Sequence, residues 1–194
     1  MKTLGLIGGM SWESTVPYYQ HINHTIKAEL GGLHSAKLLL YSVDFAEVEQ
    51  LQVTGQWDAA GQLLAEVAVR LELAGADALV LCTNTMHKVA DAISAAVHIP
   101  LLHIADPTAR AILEADFTKV GLLGTRFTME QDFYRSRLER AHGLTVLTPP
   151  QADRGLIHQI IYNELCLGEV KDSSRQTYLN VMADLQAQGA QAII

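Results

Sequence analysis

Short runs of leucine, isoleucine and valine, most of them closed by glycine or a polar turn, alternate along this chain with longer stretches whose apolar residues recur every three or four positions. The runs predict β-strands over residues 3–7, 37–43, 78–81, 101–105, 119–123, 145–147 and 191–194. The longer stretches predict helices over 15–30, 57–74, 86–97, 108–115, 130–141, 152–167 and 173–188. Strands that are apolar throughout, each followed by a helix, point to parallel sheets covered on both faces, and so to an α/β fold. Gly31, Gly75, Gly143 and Gly189 each follow a predicted helix, where a residue at positive φ closes the last turn.

The pattern also repeats. Residues 76 to 80 (Ala, Asp, Ala, Leu, Val) echo residues 190 to 194 (Ala, Gln, Ala, Ile, Ile), with Gly75 and Gly189 standing 189 − 75 = 114 positions apart. The segment Thr3-Leu4-Gly5-Leu6-Ile7-Gly8 echoes Lys119-Val120-Gly121-Leu122-Leu123-Gly124, with Gly5 and Gly121 separated by 121 − 5 = 116. A period of this size exceeds the roughly 20 to 50 residues of a solenoid repeat and predicts two similar lobes. The expected division is an N-terminal α/β lobe over residues 1–106 carrying Cys82 and a second over 107–194, with the junction near Asp106-Pro107. In the same register the counterpart of Cys82 would fall at position 196, so the second lobe is expected to be incomplete at its C-terminus.

With 194 residues, 49% of them hydrophobic and 18% charged, the chain can bury a substantial core. No apolar run reaches membrane-spanning length, and Met1 to Met10, broken by three glycines, reads as a first strand and not as a leader. The net charge is −7 and no lysine or arginine run occurs, which argues against nucleic acid as a partner. Two cysteines, Cys82 and Cys166, are too few for a disulfide framework, and a reducing cytoplasm is the expected compartment.

Ligands of open α/β sheets sit where strands hand over to helices. Four polar clusters fall there: Gly8-Gly9-Met10-Ser11, Ser42-Val43-Asp44-Phe45, Cys82-Thr83-Asn84-Thr85 and Gly124-Thr125-Arg126-Phe127-Thr128. Cys82 ends an apolar strand, and the unpaired N–H groups of a helix starting near Met86 would lie close to its sulfur, a setting that lowers a thiol pKa. Thr83, Asn84 and Thr85 add donors suited to a carboxylate. The same residues also suit a buried cysteine beside an ordinary helix cap. Cys166, at an apolar helix end, reads as buried packing. Gly5, Gly8 and Gly9 do not fit a dinucleotide-binding spacing; they serve either close backbone approach to a small anion or a tight turn. No metal-ligand spacing surrounds Cys82 and His87, the eight histidines are scattered and read mostly as surface or capping residues, and the nucleophile elbow of a serine hydrolase is missing.

Taken in chain order, Gly8-Gly9-Met10-Ser11-Trp12-Glu13-Ser14-Thr15, Ser42-Val43-Asp44-Phe45, Leu81-Cys82-Thr83-Asn84-Thr85-Met86-His87 and Gly124-Thr125-Arg126-Phe127-Thr128-Met129 resemble the cofactor-independent aspartate/glutamate racemases, the broad-specificity bacterial members in particular. The resemblance runs over essentially the whole chain. It implies two pseudo-symmetric α/β lobes with the active site between them, a homodimer, an acidic amino acid as substrate, neither pyridoxal phosphate nor a metal, and one cysteine from each lobe on opposite faces of the substrate α-carbon. Inverting a stereocentre requires a proton to leave one face and another to arrive on the opposite face, which a duplicated lobe can serve with paired acid/base groups. By the same resemblance Cys82 is one acid/base, Met10, Gln52, Thr83, Asn84 and Thr85 line the substrate pocket, and Lys171 contacts the side-chain carboxylate.

Two departures stand out. The second catalytic cysteine of the family, in a Gly-Cys-Thr-Glu-like segment, is absent from residues 1 to 194, so these residues alone are expected to lack two-base racemisation. Some members also carry an arginine after the second-strand motif, where this chain reads Ala46-Glu47-Val48-Glu49, which favours acceptance of more than aspartate. The alternatives are a one-cysteine dicarboxylate decarboxylase or cis–trans isomerase of the same superfamily, and a non-catalytic binder of acidic amino acids.

Overall fold

A computed structural model describes residues 1–194. The chain divides into two units, Met1–His103 and Ile104–Ile194, each with its own parallel sheet. In the first, β1 (Thr3–Gly8), α1 (Trp12–Leu30), β2 (Lys37–Ser42), α2 (Phe45–Val53), α3 (Trp57–Leu73), β3 (Ala78–Leu81), α4 (Ala90–Ala95) and β4 (Leu101–Leu102) follow in order. The strands pair in the spatial order β2-β1-β3-β4, every pair parallel. In the second, α5 (Ala105–Glu114), β5 (Lys119–Gly121), α6 (Arg126–Glu130), α7 (Asp132–Ser136), β6 (Thr145–Leu147), α8 (Gln151–Asn163), α9 (Asp172–Ala187) and β7 (Ala192–Ile193) build a parallel sheet of order β6-β5-β7.

The sequence echo is a structural repeat. Leu4 pairs with Ala78 and Gly5 with Leu79 in the first sheet; Val120 pairs with Ala192 and Gly121 with Ile193 in the second, which are the positions the two offsets map onto one another. The strand entrances match as well. Asp77 donates its N–H to the Thr3 carbonyl and accepts the Thr3 N–H on its carboxylate (2.8 and 2.6 Å), while Gln191 exchanges the same pair of bonds with Lys119 (2.8 and 3.0 Å). Gly75 and Gly189 close α3 and α9 at φ +96° and +97°, a region from which a Cβ is sterically discouraged.

Packing follows from the helical period. In α3, Ala60, Gly61, Leu64, Val67, Ala68 and Leu71 form the buried stripe, and Leu64, Val67 and Leu71 join Ile7, Leu79, Leu81, Met86 and Ile93 in the first core. Burial of each such leucine or valine is worth about 1.5–3 kcal/mol. The second unit has two apolar clusters, one around Val120, Leu122, Tyr134 and Leu138 and one around Met129, Ile157, Val181 and Leu185. Asp106, at the start of α5, accepts two bonds from Arg137 (2.6 and 2.8 Å), a forked ion pair that ties α5 to the π-helical turn Arg137–Ala141.

Several elements differ from the sequence expectation. Helix α2 was not anticipated, although Asp44 followed three positions later by Glu47 is a helix-start signature; the Asp44 side chain accepts the Ala46 N–H at 3.1 Å and caps it. The strand expected over 101–105 is two residues long, and Asp106 and Pro107 lie in the first turn of α5. The helix expected over 130–141 is broken at Gln131, which is extended (φ −95°, ψ 153°) between α6 and α7. The helix expected over 86–97 is a 3₁₀ turn, Thr85–Val89, leading into the six-residue α4.

Candidate active site

The carboxyl ends of β2, β1 and β3 lie side by side, because Gly8 pairs with Ser42 and Ile7 with Leu81. Past the strands the chains remain joined: Val43 N–H donates to the Gly8 carbonyl (3.0 Å) and Cys82 N–H to the Ile7 carbonyl (2.9 Å). Three of the polar clusters singled out in the sequence are thereby gathered along one sheet edge.

The first loop is held by a buried hydroxyl. Thr15, 4% exposed, accepts the Gly9 N–H (2.9 Å) and donates to the Ser11 carbonyl (3.0 Å), bracketing Met10. A Cβ on Gly8 would collide with Thr15, and one on Gly9, at φ +93°, with the backbone of Val43. These glycines therefore act in tight packing, and the Gly9 N–H already has its partner inside the fold.

Met10 (5% exposed) and Met86 (0%) belong to the apolar cluster beneath these loops. Gln52, reached through α2, is 3% exposed and directs its amide nitrogen at the Met86 sulfur, 3.0 Å away. Cys82 is fully buried, its sulfur 4.0 Å from the Val80 carbonyl. Burial pushes its pKa from 9.0 up to about 12. The thiol is thus protonated at neutral pH, which corrects the expectation of a lowered value: there is no long helix aimed at the sulfur, and loss of hydration disfavours the thiolate. Of the neighbouring donors, Thr85 is buried, Thr83 half-buried and Asn84 exposed.

Behind this turn lies a feature that sequence reasoning missed. His87 and His103 are 3% and 9% exposed, with ring centroids 4.4 Å apart at an interplanar angle of 63°. His87 Nδ1 lies 2.7 Å from the Thr83 carbonyl, and the His87 N–H donates to the Asn84 carbonyl at 3.1 Å. The available signal was the i, i+4 spacing of Thr83 and His87 across a turn flanked by the apolar Met86 and Val89.

In the second unit, Thr125 caps α6 by accepting the Thr128 N–H (3.3 Å), and the Arg126 N–H reaches His158 Nδ1 (3.3 Å). Burial, and then the charge of Arg126, lower the His158 pKa against an opposing pull from Glu130. Lys171 precedes α9 and is exposed, with its ammonium 3.0 Å from Glu169 and 3.8 Å from Glu164. Cys166 is half-buried in the short 3₁₀ turn Leu165–Leu167, and so is not the fully enclosed residue expected from its apolar neighbours. No helix is long and apolar enough to cross a membrane, and no three His, Cys, Asp or Glu side chains converge as a metal site would require.

A family profile described as Asp/Glu/hydantoin racemase matches residues 7–194. The chain therefore belongs to the Asp/Glu/hydantoin racemase family. It is 60% identical to a candidate Asp/Glu racemase from Yersinia pestis of known crystal structure, with a TM-score of 0.90 over 100% of this chain and 84% of that one. An aspartate racemase homologue from Pyrococcus horikoshii is 33% identical, with a TM-score of 0.80 over the same shares, 100% and 84%. The broad-specificity amino-acid racemase RacX of Bacillus subtilis is 25% identical over 139 residues, which are 70% of this chain and 60% of that enzyme. The matched region thus spans less than two thirds of that curated relative.

Proposed function

We propose that this chain acts as a cofactor-independent amino-acid racemase that interconverts the L and D forms of aspartate, glutamate or both by proton transfer between two thiols, with Cys82 as one acid/base. The observation that carries this is a buried, protonated thiol at the carboxyl end of β3, beside the β1 and β2 loops, in a chain of this family. A base on the far face takes the α-proton, the electron pair left on carbon takes the proton of the Cys82 S–H, and the S–H electrons remain on sulfur as thiolate. The far-face base then releases its proton to solvent and the Cys82 thiolate takes one up, which resets the site. Thr83, Asn84 and Thr85 offer hydroxyl, amide and backbone donors for the α-carboxylate, which carries part of the developing charge. Met10 and Gln52 would line the pocket, and Lys171 would meet the distal carboxylate.

The far-face base is a second thiol, as the family resemblance implies. Glu47 and Glu49 of α2, where some relatives carry arginine, fit a broad substrate range better than strict aspartate recognition. The working assembly is a homodimer in the cytoplasm.

The test uses the protein with its second thiol, incubated with L- and D-aspartate and glutamate in deuterated water. Racemisation with α-deuterium incorporation is expected, and Cys82→Ser should abolish inversion. Undiminished inversion by that variant would overturn the assignment.

A further inference from the structure

We infer that His87 is a positioning residue that fixes the Cys82–Asn84 turn, and with it the direction of the reactive S–H bond. This rests on the function proposed above. A carbonyl can only accept, so the 2.7 Å contact to Thr83 is an Nδ1–H donor bond and fixes the ring's tautomer when neutral. The same residue donates its backbone N–H to Asn84, so two consecutive carbonyls of the turn are clamped by one side chain and its own main chain. The amides of Cys82 and Thr83 are bound to Ile7 and Leu81. Four of the turn's six backbone N–H and C=O groups are thus held from within the first unit, while Thr83 is half-buried and Asn84 exposed. The His103 ring, packed edge-on at 4.4 Å, keeps His87 from rotating away.

The chemistry predicts a distinctive substitution pattern. Asparagine places an amide nitrogen where Nδ1 stands, whereas glutamine, with one more methylene, places it where Nε2 stands. If the Nδ1 bond matters, His87→Asn should recover what His87→Gln and His87→Leu lose; if His87 only fills space, the larger glutamine should be the better replacement. The experiment compares the four proteins by thermal unfolding, by racemisation kinetics, and by the rate at which iodoacetamide alkylates Cys82, read on the Cys82-containing peptide by mass spectrometry.

Loss of one hydrogen bond from a local opening equilibrium corresponds to roughly tenfold in exposure. Alkylation in the Gln and Leu variants should therefore rise about tenfold while kcat falls by a similar factor and KM changes less, with Asn within about threefold of wild type in both. Equal behaviour of Asn and Gln, or unchanged alkylation in Leu, overturns the inference. Should Leu fail to fold, the Asn and Gln pair decides. Should wild type carrying its second thiol show no racemisation, the proposed function fails, and the alkylation order still decides the role of His87.

Discussion

Raising the pH should unfold this protein in a way that depends on a single sulfur. Cys82 is fully buried, and its pKa is about 12 in the fold against 9.0 for an ordinary thiol. Below pH 9 both folded and unfolded chains hold the proton and the group contributes nothing to the pH dependence. Between 9 and 12 the unfolded chain releases the proton while the folded chain retains it, so the unfolded state binds fewer protons and stability falls as pH rises. Each pH unit in this window removes about 1.4 kcal/mol, approaching about 4 kcal/mol as the pH passes the folded value.

Urea unfolding at about pH 8 and about pH 11, under reducing conditions, should show Cys82→Ser losing about 3 kcal/mol less than wild type over that interval. Tyr134 and Tyr178, whose hydroxyls burial also pushes up, lose stability with the same sign in both proteins and cancel in the comparison. Identical pH slopes, or a thiolate absorbance near pH 9 in the folded chain that Cys82→Ser removes, would refute the burial argument. The outcome bears on mechanism, since a thiol that resists ionisation starts the cycle as a proton donor.

Other substitutions test the supports of the site. Thr15→Val keeps the shape but takes the hydroxyl acceptor from the Gly9 N–H, while the Ser11 carbonyl keeps its bond from the Ser14 hydroxyl (2.9 Å); equilibrium unfolding should show a loss of about 1–3 kcal/mol, with Thr15→Ser close to wild type. Gly5→Ala would bring a Cβ to 3.1 and 3.2 Å from the Cβ atoms of Ala76 and Leu71, which cannot rotate aside, so a cost of about 1–3 kcal/mol is expected. Its repeat partner Gly121→Ala meets mainly the flexible ends of Ile193 and Leu185 and should cost less in the same assay.

The alternation of apolar runs with amphipathic stretches, and its recurrence at a fixed offset, determined the α/β class and the matched strands, because which residues of a strand or helix can be buried is written in local spacing. The placement of Cys82, Gly8 and Ser42 at strand ends followed from the same local signal. Tertiary structure alone decided what surrounds them. Gln52 meets Met86 across 34 residues of chain, and His87 meets His103 only because β4 returns beside β3. The protonation of Cys82 belongs to this second category: hydration is lost to atoms contributed by distant segments, and that loss set the thiol pKa in the direction opposite to the one its sequence neighbours implied.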